Sequence, residues 1–263
     1  LIAISSPYAR KGWCYQQHKN HYGHDGGNVL VWNCPSRTMN PTLPKRIVDR
    51  AIAEDVASAK SEYLGEFRDD IAAFIPREVV EGLVVKGRTS LLPVRRERYV
   101  AFADMSGGRS DDATLAVAHK EDRTVVIDLA KRWRPPFNPH HIVSLMAQEL
   151  RRYGITKVVG DNYAAEFTAS AFTANGIRYE KSVKPKSALY IELLPRMFSN
   201  EIELLDDDVL VTQIASLERR TRSGGKDIVD HPHGAHDDLA NAVAGAAVVA
   251  AKRRLVVGAL GST

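Results

Sequence analysis

Two adjacent carboxylates, Asp237 and Asp238, follow three histidines in the stretch VDHPHGAHDDLANAVAGAA (229–247). The stretch is typical of a loop that leads into an Ala-rich helix, because small apolar residues follow the acids without interruption. Acidic residues are favourable in the first turn of a helix, where the macrodipole is positive. Since one acid is enough to cap a helix, the second acid, placed directly after His236, indicates a further role.

Two more acids stand at the ends of predicted strands. Asp104 ends the apolar run of AFADMSGG, and Asp161 ends VVGD and opens the next helix. Each has an ordinary structural role available, a turn for Asp104 and a helix N-cap for Asp161. If their strands are neighbours in one sheet, both acids emerge at the same edge. The helix after Asp238 is then expected to pack unusually close to that sheet, because it carries Ala or Gly at 240, 242 and 244–247.

Three or four carboxylates at one sheet edge repel one another unless a cation compensates their charge. Mg²⁺ and Mn²⁺ prefer oxygen ligands of this kind. The acids Asp104, Asp161, Asp237 and Asp238 therefore predict a divalent-metal site, and two ions in such a site can cleave a phosphodiester bond.

The histidines of HPHGAH, His231, His233 and His236, raise zinc as an alternative. No paired cysteine motif or H-E-x-x-H helix completes a tetrahedral zinc site. Contact with a phosphate backbone or orientation of a neighbouring acid is favoured for these residues. His236 is a candidate supporting residue of the metal site.

The order of predicted elements indicates the fold class. Three β-branched runs separated by short polar turns predict an antiparallel meander: RYVAFADM, ATLAVAHK and RTVVIDLA. A helix follows, with Asn138 as N-cap, Pro139 at its first position and Gly154 just past its end. Strands and helices then alternate as in parallel βαβ units: strand 156–160, helix 161–176, strand 177–182, and helices around 186–199 and 208–220. We predict an α/β fold with a ribonuclease H-like mixed sheet flanked by helices.

The N-terminal part has a different character. LIAISS (1–6) is predicted to be a buried strand, and the apolar and Ala residues at 47, 48, 51, 52 and 56 have helical spacing. Because the chain begins with Leu1 rather than Met, it is expected to be a fragment. The polar stretch 85–98 is the candidate boundary. It divides the chain into a first part, 1–90, a main domain, 91–255, and a tail, 256–263.

Composition limits the classes of protein that fit. The chain has 263 residues, 44% of them hydrophobic, and a formal net charge of +4, which suits one to two domains with a real core. No apolar run approaches the about 20 residues that span a bilayer, and the start lacks the features of a signal peptide. A cytoplasmic protein without a membrane partner is therefore expected. Cys14 and Cys34 are too few for a disulfide framework.

Several motifs together resemble the C-terminal nuclease of tailed-phage terminase large subunits: FADMSGG, VVGDNYAAEF, KSALY and LERRTRSGGKDIVDHPHGAHDDLANAVAGA. The resemblance covers most of residues 95–250. Upstream, LIAISSPYARKGWCYQQHKNHYG is similar to the motif that follows the ATPase active site in that family, and SEYLGEFRDDIAAFIP resembles the segment that joins motor to nuclease. Residues 1–90 are then expected to be the tail of an ATPase domain with a helical subdomain and linker.

The resemblance implies an endonuclease that cuts concatemeric double-stranded DNA in the host-cell cytoplasm. It implies an ATP-driven motor in the complete protein, with the terminase small subunit and the portal or procapsid as partners. Catalytic and metal-ligand roles are carried onto Asp104, Asp161, Asp237 and Asp238, with Asp238 the favoured member of the pair. No G-x-x-x-x-G-K-[ST] phosphate loop occurs, so ATP hydrolysis is not expected from this chain alone.

Basic residues cluster at 95–98, 131–134 and 217–226, which suits either a polyanion or solvated faces. Some of them stand near the acids and are candidate phosphate contacts, which position a duplex without reading its sequence. These are Lys184, Lys186, Arg219, Arg220, Arg222 and Lys226. Trp133 and Tyr163 are candidates to support DNA, but a packing role is favoured for both.

Two other functions fit the same residues. Another ribonuclease H-like nuclease, of the resolvase or transposase type, would share the acids but not the motor-like residues 1–90. A non-catalytic module that binds DNA or the procapsid would use the carboxylates as structural caps. In that second case, replacing Asp104 by Asn would leave every activity of the chain unaltered.

Overall fold

The structure is a computed structural model of the chain, and it describes residues 1–10, 12–24, 26–68, 71–161, 165–221, 227–232 and 234–252. The described chain forms two compact units. The first comprises Leu1–Ala72 with residues 220 and 221, and the second begins at residue 73 and contains the remaining described residues.

The first unit is built from short helices: α1 Gly12–His21, α2 Ser36–Met39, α3 Lys45–Glu54, α4 Val56–Ala59 and a π-helical turn, Lys60–Leu64. The predicted helical spacing is confirmed in α3, which buries Val48. The strand expected at 1–6 is wrong, because these residues form no regular element and are exposed. An extended segment is stable as a strand when a neighbour pairs its backbone groups, and in the described unit no strand lies beside residues 1–6.

The rest of the described chain alternates strands and helices. In chain order these are β1 Ile71–Ala73, α5 Arg77–Gly82, β2 Val100–Asp104, β3 Ala113–Glu121, β4 Thr124–Trp133, α6 Pro139–Arg152, β5 Lys157–Gly160, α7 Ala165–Ala174, β6 Arg178–Lys181, α8 Lys186–Phe198, β7 Ile202–Glu203, α9 Asp208–Ser216, β8 Glu218–Thr221, β9 Asp227–Asp230 and α10 Asp238–Ala251.

The main sheet has six strands in the order β6-β5-β2-β3-β4-β7. Strands β2, β3 and β4 form the predicted antiparallel meander, and β5, β6 and β7 join it by parallel pairing. Helix α6 begins as predicted, because the side chain of Asn138 accepts a hydrogen bond from the amide of His140 at 2.9 Å. The expected α/β class, a ribonuclease H-like mixed sheet flanked by helices, is confirmed.

Strands β2 and β5 are parallel neighbours, so the acids Asp104 and Asp161 can emerge together as predicted. Phe102 pairs with Val159 and Ala103 with Gly160, so the chain leaves both strands at the same sheet edge, at Asp104 and just after Gly160. The contact is close at Gly160, where a Cβ atom would lie 2.5 Å from the carbonyl oxygen of Ala103. A side chain larger than hydrogen at this position would therefore push the two strands apart.

Helix α10 lies directly against one face of the sheet. A Cβ atom on Gly245 would lie 2.3 Å from the ring of Phe102 in β2, so the expected close packing of the small-residue face is confirmed. The helix is apolar along most of its 14 residues. Neither α10 nor any other helix in the described part of the chain is long and apolar enough to cross a membrane.

Helices cover both faces of the sheet. On one face, Phe102 packs in a core with residues of α8, α9 and α10, among them Leu193 and Ala244. On the other face, Leu115 packs with residues of α6 and α7, among them Met146 and Phe172. The sheet is therefore buried on both sides, which explains why β3 is a nearly continuous apolar run.

Two boundaries differ from those expected from sequence. The helix expected over 208–220 ends at Ser216, because the backbone of Leu217 is extended (φ −56°, ψ 142°) and leads into β8, which lies beside β9. Residues 73–90, expected in the first domain, belong to the second unit, where Ile75, Val80 and Leu83 are core residues. The assignment of 1–90 to an ATPase remnant stays a prediction, and the tail 256–263 lies outside the described residues.

Replacing Gly245 by Ala should destabilise the protein. The new methyl group meets the buried ring of Phe102, and overpacking of this kind typically costs about 1–3 kcal/mol. We expect a lower midpoint of urea unfolding for Gly245→Ala. The matched control is Gly82→Ala at the end of α5, where an added Cβ has no atom within 4 Å. A Gly245→Ala protein as stable as the Gly82→Ala protein would contradict the close approach of α10.

Candidate metal centre

A cavity of about 350 Å³ in the second unit lies where β2 and β5 end and α10 begins. Acidic side chains dominate its lining. The structure brings together at this cavity all four acids singled out from the sequence, Asp104, Asp161, Asp237 and Asp238, and adds Asp111 and Asp112 from the loop between β2 and β3. Lys186, His231, His236 and Asn241 also line it.

The backbone fixes where two of the acids stand. Asp104 is the last residue of β2. Asp161 follows β5, and its amide donates to the carbonyl oxygen of Ala103 at 3.4 Å, which continues the pairing of the two strands. The hydroxyl of Tyr179 donates to the carbonyl oxygen of Asp161 at 2.6 Å. The register of the sheet therefore places the acids side by side.

A residue of α10 orients the carboxylate of Asp104. The side-chain amide of Asn241 donates to Oδ2 of Asp104 at 2.7 Å. Burial, helped by the charges of Asp161, Asp238 and Asp237, raises the pKa of Asp104 to about 7 against the opposing hydrogen bond from Asn241. The ionised form of Asp104 is therefore costly unless a cation lies nearby.

Asp238 carries a buried oxygen without a hydrogen-bond partner. It is the first residue of α10, and its backbone carbonyl accepts from the hydroxyl of Thr114 at 2.8 Å. Its Oδ2 atom is buried and accepts no hydrogen bond in the described chain. Burial raises the pKa of Asp238 to about 6, helped by Asp237 and Asp111. An orphaned carboxylate oxygen on a residue that lines a cavity is the kind of group that a metal ion satisfies.

Asp237 has a different environment from its neighbour. Its side chain is buried, and the hydroxyl of Tyr190 donates to Oδ2 at 2.9 Å. The ammonium group of Lys186 lies 3.1 Å from Oδ1 and 3.0 Å from Oδ2. Burial lowers the pKa of Lys186, but Asp237 and Asp230 more than offset this and hold it above its ordinary value. The charge of Asp237 is thus already compensated within the protein.

A second group of possible metal ligands is formed by Asp230, His231 and Asp237. Their candidate ligand atoms lie within 4.8 Å of one another. The ammonium of Lys186 lies 2.8 Å from Oδ1 of Asp230 and contacts Asp237. Because this ammonium sits between the two carboxylates, it provides the positive charge that a metal ion would otherwise supply. We therefore regard Asp230, Lys186 and Asp237 as an ion-pair cluster that holds the start of α10.

The residues around Asp104 and Asp238 fit a divalent metal ion. The donors are carboxylate oxygens, as Mg²⁺ and Mn²⁺ prefer. Two of them have pKa values raised by burial and by neighbouring acids, and one oxygen, Oδ2 of Asp238, lacks any hydrogen-bond partner in the part of the chain that the structure describes. A bound cation would relieve both the repulsion and the missing hydrogen bond.

Of the histidines in HPHGAH, His236 lies near Asp238, and His231 lies by the ion-pair cluster. His236 is mostly exposed, and its Nδ1 atom lies 3.7 Å from Oδ1 of Asp111 and 3.9 Å from Oδ2 of Asp238. His231 lies by the ion-pair cluster, with Nε2 3.8 Å from Oδ1 of Asp237. His233 lies outside the described residues. The predicted supporting role of His236 stays a prediction, and the geometry places it beside the favoured acid.

The predicted phosphate contacts have varied surroundings. Lys184 forms an ion pair with Glu192, and Arg219 forms one with Asp227. Arg220 donates to the hydroxyl of Tyr8 at 3.1 Å. Lys186 has acidic partners rather than an open ammonium, as described above. Arg222 and Lys226 lie outside the described residues, so phosphate contact by this group stays a prediction.

Sequence reasoning missed several residues of the cavity. Asn241 stands three positions after Asp238 in α10, and that spacing puts both on one helix face, so it was within reach of a pattern argument. Asp111 and Asp112 follow a Gly/Ser loop that is typical of a turn. Asp112 lies 3.3 Å from Arg132, a contact that only the sheet register reveals. Of the two aromatic candidates, Trp133 packs against the core and Tyr163 lies outside the described residues.

The stability of the metal-free protein should fall as the pH rises through about 7. The folded pKa of Asp104, about 7, exceeds its ordinary value of 3.8, so the stabilisation contributed by its protonated form is present at low pH and is lost as the pH rises through 7. Asp104→Asn carries a neutral side chain of the same shape. Between about pH 5 and pH 8 the wild type should therefore lose about 2–3 kcal/mol more than the variant.

Urea unfolding in EDTA at both pH values measures this difference. The matched control is Asp122→Asn, at an exposed turn between β3 and β4 with positive φ that Asn also tolerates. The control should follow the wild type at both pH values. Parallel pH profiles for wild type and Asp104→Asn would contradict the raised pKa.

No protein-family model matches the sequence, and no curated protein is similar to it at a significant level. Solved structures are similar to it in fold. The large terminase nuclease of thermophilic phage G20c with bound magnesium is 18% identical over 67% of this chain and 98% of that chain, with a TM-score of 0.57.

Two longer proteins are similar over more of the chain. The HK97 bacteriophage large terminase is 14% identical over 84% of this chain and 57% of that chain, with a TM-score of 0.57. The large terminase of another thermophilic bacteriophage is 12% identical over 93% of this chain and 60% of that chain, with a TM-score of 0.56. This chain therefore matches about three fifths of the length of those two proteins, and it shares the fold of the large terminase nucleases.

Proposed function

We propose that the second unit is a metal-dependent DNA endonuclease that cuts concatemeric double-stranded DNA during viral DNA packaging. The observation that carries the proposal is the meeting of Asp104, Asp161 and Asp238 at one cavity, with a buried oxygen of Asp238 that accepts no hydrogen bond within the described chain. The fold shared with large terminase nucleases supports it.

Asp104, Asp161 and Asp238 are the proposed metal ligands. Two divalent cations, Mg²⁺ or Mn²⁺, would supply activation of the attacking water and stabilisation of the leaving oxygen when bound there. The G20c nuclease has been solved with bound magnesium and with bound cobalt, which supports a divalent ion for this chain. Asn241 holds Oδ2 of Asp104 at 2.7 Å and so restricts the directions in which that carboxylate offers its oxygens.

Asp237 is proposed to position the site rather than to bind metal directly. Its two oxygens contact Lys186 and Tyr190, and these contacts hold the residue immediately before Asp238. His236 is proposed as a support on the open side of the cavity. Its positive form offsets part of the rise in the pKa of Asp238 that burial and Asp237 cause, which favours the ionised form that binds metal.

A purely structural role for the acids as helix caps is less consistent with the geometry. Asp237 is the N-cap residue of α10, yet its side chain accepts no hydrogen bond from the amides of that helix. Oδ2 of Asp238 likewise has no hydrogen-bond donor in the described residues. Carboxylates that served as caps would instead accept from the first backbone amides of the helix.

The proposed substrate rests on the basic residues that the sequence singles out as candidate phosphate contacts. Lys184, Arg219 and Arg220, with Arg222 and Lys226 outside the described residues, are proposed to contact phosphates of the duplex. No recognition helix is identified among them, so we expect cutting that is independent of sequence. The ATP-driven motor, the terminase small subunit and the portal or procapsid are proposed partners of the complete protein.

Plasmid cleavage tests the proposed activity and its residues together. The chain should nick and linearise supercoiled plasmid with Mg²⁺ or Mn²⁺ and should be inactive in EDTA. Asp104→Asn and Asp238→Asn should each lower the rate by more than about 100-fold, beyond the range typical of residues that only support metal ligands.

The control for this assay is again Asp122→Asn, which removes an exposed acid far along β3 from the cavity and should cleave like the wild type. Cleavage that persists in both site variants would remove Asp104 and Asp238 from the mechanism. Failure of the unmodified chain to cut with either ion would contradict the proposed activity itself.

Loss of a phosphate contact should change the salt dependence of DNA binding. For Arg219→Gln, the slope of log affinity against log salt should become shallower by about one, measured in EDTA so that no cleavage occurs. The matched control is Lys157→Gln, an exposed, ion-paired cation that begins β5 at the end opposite to Asp161. Equal slopes for the two variants would exclude Arg219 as a phosphate contact.

A further inference from the structure

A groove of about 330 Å³ lies in the second unit, at the end of α10 opposite to the candidate metal centre. Pro195 of α8 and Val248 and Ala251 of α10 provide its apolar lining, and Arg123 from the turn between β3 and β4 borders it. Helix α10 has 14 residues and is therefore about 21 Å long. The groove is thus remote from the acids at the start of α10, and an inference about it does not rest on the proposed nuclease.

An exposed apolar stripe on α8 runs beside this groove. Ile191, Pro195 and Phe198 stand at the i, i+4 and i+7 positions of the helix and so share one face. Ile191 is 43% exposed and Phe198 55% exposed, whereas Leu193 and Met197 on the other side of α8 are core residues. The helix is therefore apolar on two faces, and only one of them packs in the core. Contiguous exposed apolar side chains are typical of a surface that another molecule covers.

Positive charge prevails on the groove side of the stripe. The charged lining consists of Arg123, Arg196, Lys252, Glu192 and Glu201. Glu201 is shared by Arg123 at 2.6 Å and Arg196 at 3.2 Å. Glu192 lies 3.6 Å from Lys252 and pairs with a further lysine outside the groove. Both acids are thus already compensated, and the remaining positive charge suits an acidic partner.

The apolar stripe and the positive groove together select a protein as the partner. A DNA duplex would satisfy the cations but would leave Ile191 and Phe198 exposed, because its phosphate backbone offers no apolar group to cover them. A second copy of this chain, docked through the same face, would bring two positive grooves together, since a two-fold contact uses the same patch on both subunits. An apolar segment that also carries acids satisfies both features at once.

We propose that this face of α8 and the adjoining groove bind an acidic amphipathic helix of a partner protein. Its apolar side chains would pack on Ile191, Pro195 and Phe198, and its carboxylates would pair with Arg123 and Lys252. The stripe spans seven residues, or about 10 Å of helix, which matches the spacing of the i, i+3, i+4 and i+7 anchors by which an amphipathic helix docks on a groove.

The test is a fluorescence-anisotropy titration of the full chain, in EDTA, with a fluorescein-labelled synthetic peptide of about 18 residues, or five turns of helix. The peptide carries Leu at i, i+3, i+4 and i+7 spacing on one face and Glu on both sides of that face. We expect saturable binding. Two control peptides should bind at least about 10-fold more weakly: one of the same composition with the leucines distributed around the helix, and one with Lys in place of each Glu.

Variants of the chain locate the binding surface. Phe198→Ala should weaken binding of the acidic peptide about 10-fold, and Ile191→Ser should weaken it as well. Arg123→Gln should weaken it several-fold and reduce its salt dependence. The matched controls are Phe167→Ala, which removes an exposed ring of α7, and Lys157→Gln, which removes an exposed, ion-paired cation of β5. Both should bind like the wild type, because neither residue lines the groove.

The proposal is overturned if the wild type does not bind the acidic peptide, or if Phe198→Ala and Ile191→Ser bind it normally while circular dichroism shows both folded. Competition by a short DNA duplex as strong as that by unlabelled peptide would assign the groove to DNA. A dimer in sedimentation velocity that Phe198→Ala dissociates would assign the face to a second copy of the chain. Either of these results would also overturn the proposal.

Discussion

The close approach of α10 to the sheet is the constraint on which the candidate metal centre depends. Because position 245 carries no side chain, the helix axis can come near enough to β2 for the backbone to rest on the ring of Phe102. That contact sets the height of the helix start above the sheet edge. The acids at the beginning of α10 then face the acid that ends β2, and the parallel neighbour β5 brings Asp161 to the same edge.

The result is a concentration of negative charge that the protein only partly neutralises. The charge of Asp237 is compensated within the protein, because Lys186 and Tyr190 contact its carboxylate. The charges of Asp104 and Asp238 are not compensated in this way. Asp104 accepts a hydrogen bond from the side-chain amide of Asn241, and Oδ2 of Asp238 has no donor in the described chain. Buried charges without a partner are expensive, and such a cost persists in a fold when function depends on it. A divalent cation is the simplest partner for the carboxylates of Asp104 and Asp238.

Much of this arrangement was accessible from sequence. Periodicity located β2 to β6 and α6, and the order of strands led to the neighbouring positions of Asp104 and Asp161. The run of alanines around Gly245 correctly indicated close packing. The division of labour between Asp237 and Asp238 was not accessible, because it depends on Lys186 reaching across from α8, and long-range contacts of one side chain leave no local pattern.

The failures have equally specific causes. LIAISS has strand-like composition, yet a strand needs a partner, and composition does not report one. The end of α9 was missed because Glu218–Thr221 has helical propensity that pairing with β9 overrides. Asp111 and Asp112 looked like turn residues, since nothing local shows that their loop borders the cavity.

The most direct measurement of the central claim is an anomalous-scattering map from crystals of the chain soaked with Mn²⁺. The account predicts manganese within ligand distance of carboxylate oxygens of Asp104, Asp161 and Asp238, with Asp237 still bound to Lys186. Manganese bound instead by Asp230, His231 and Asp237, or no manganese at this sheet edge, would contradict it.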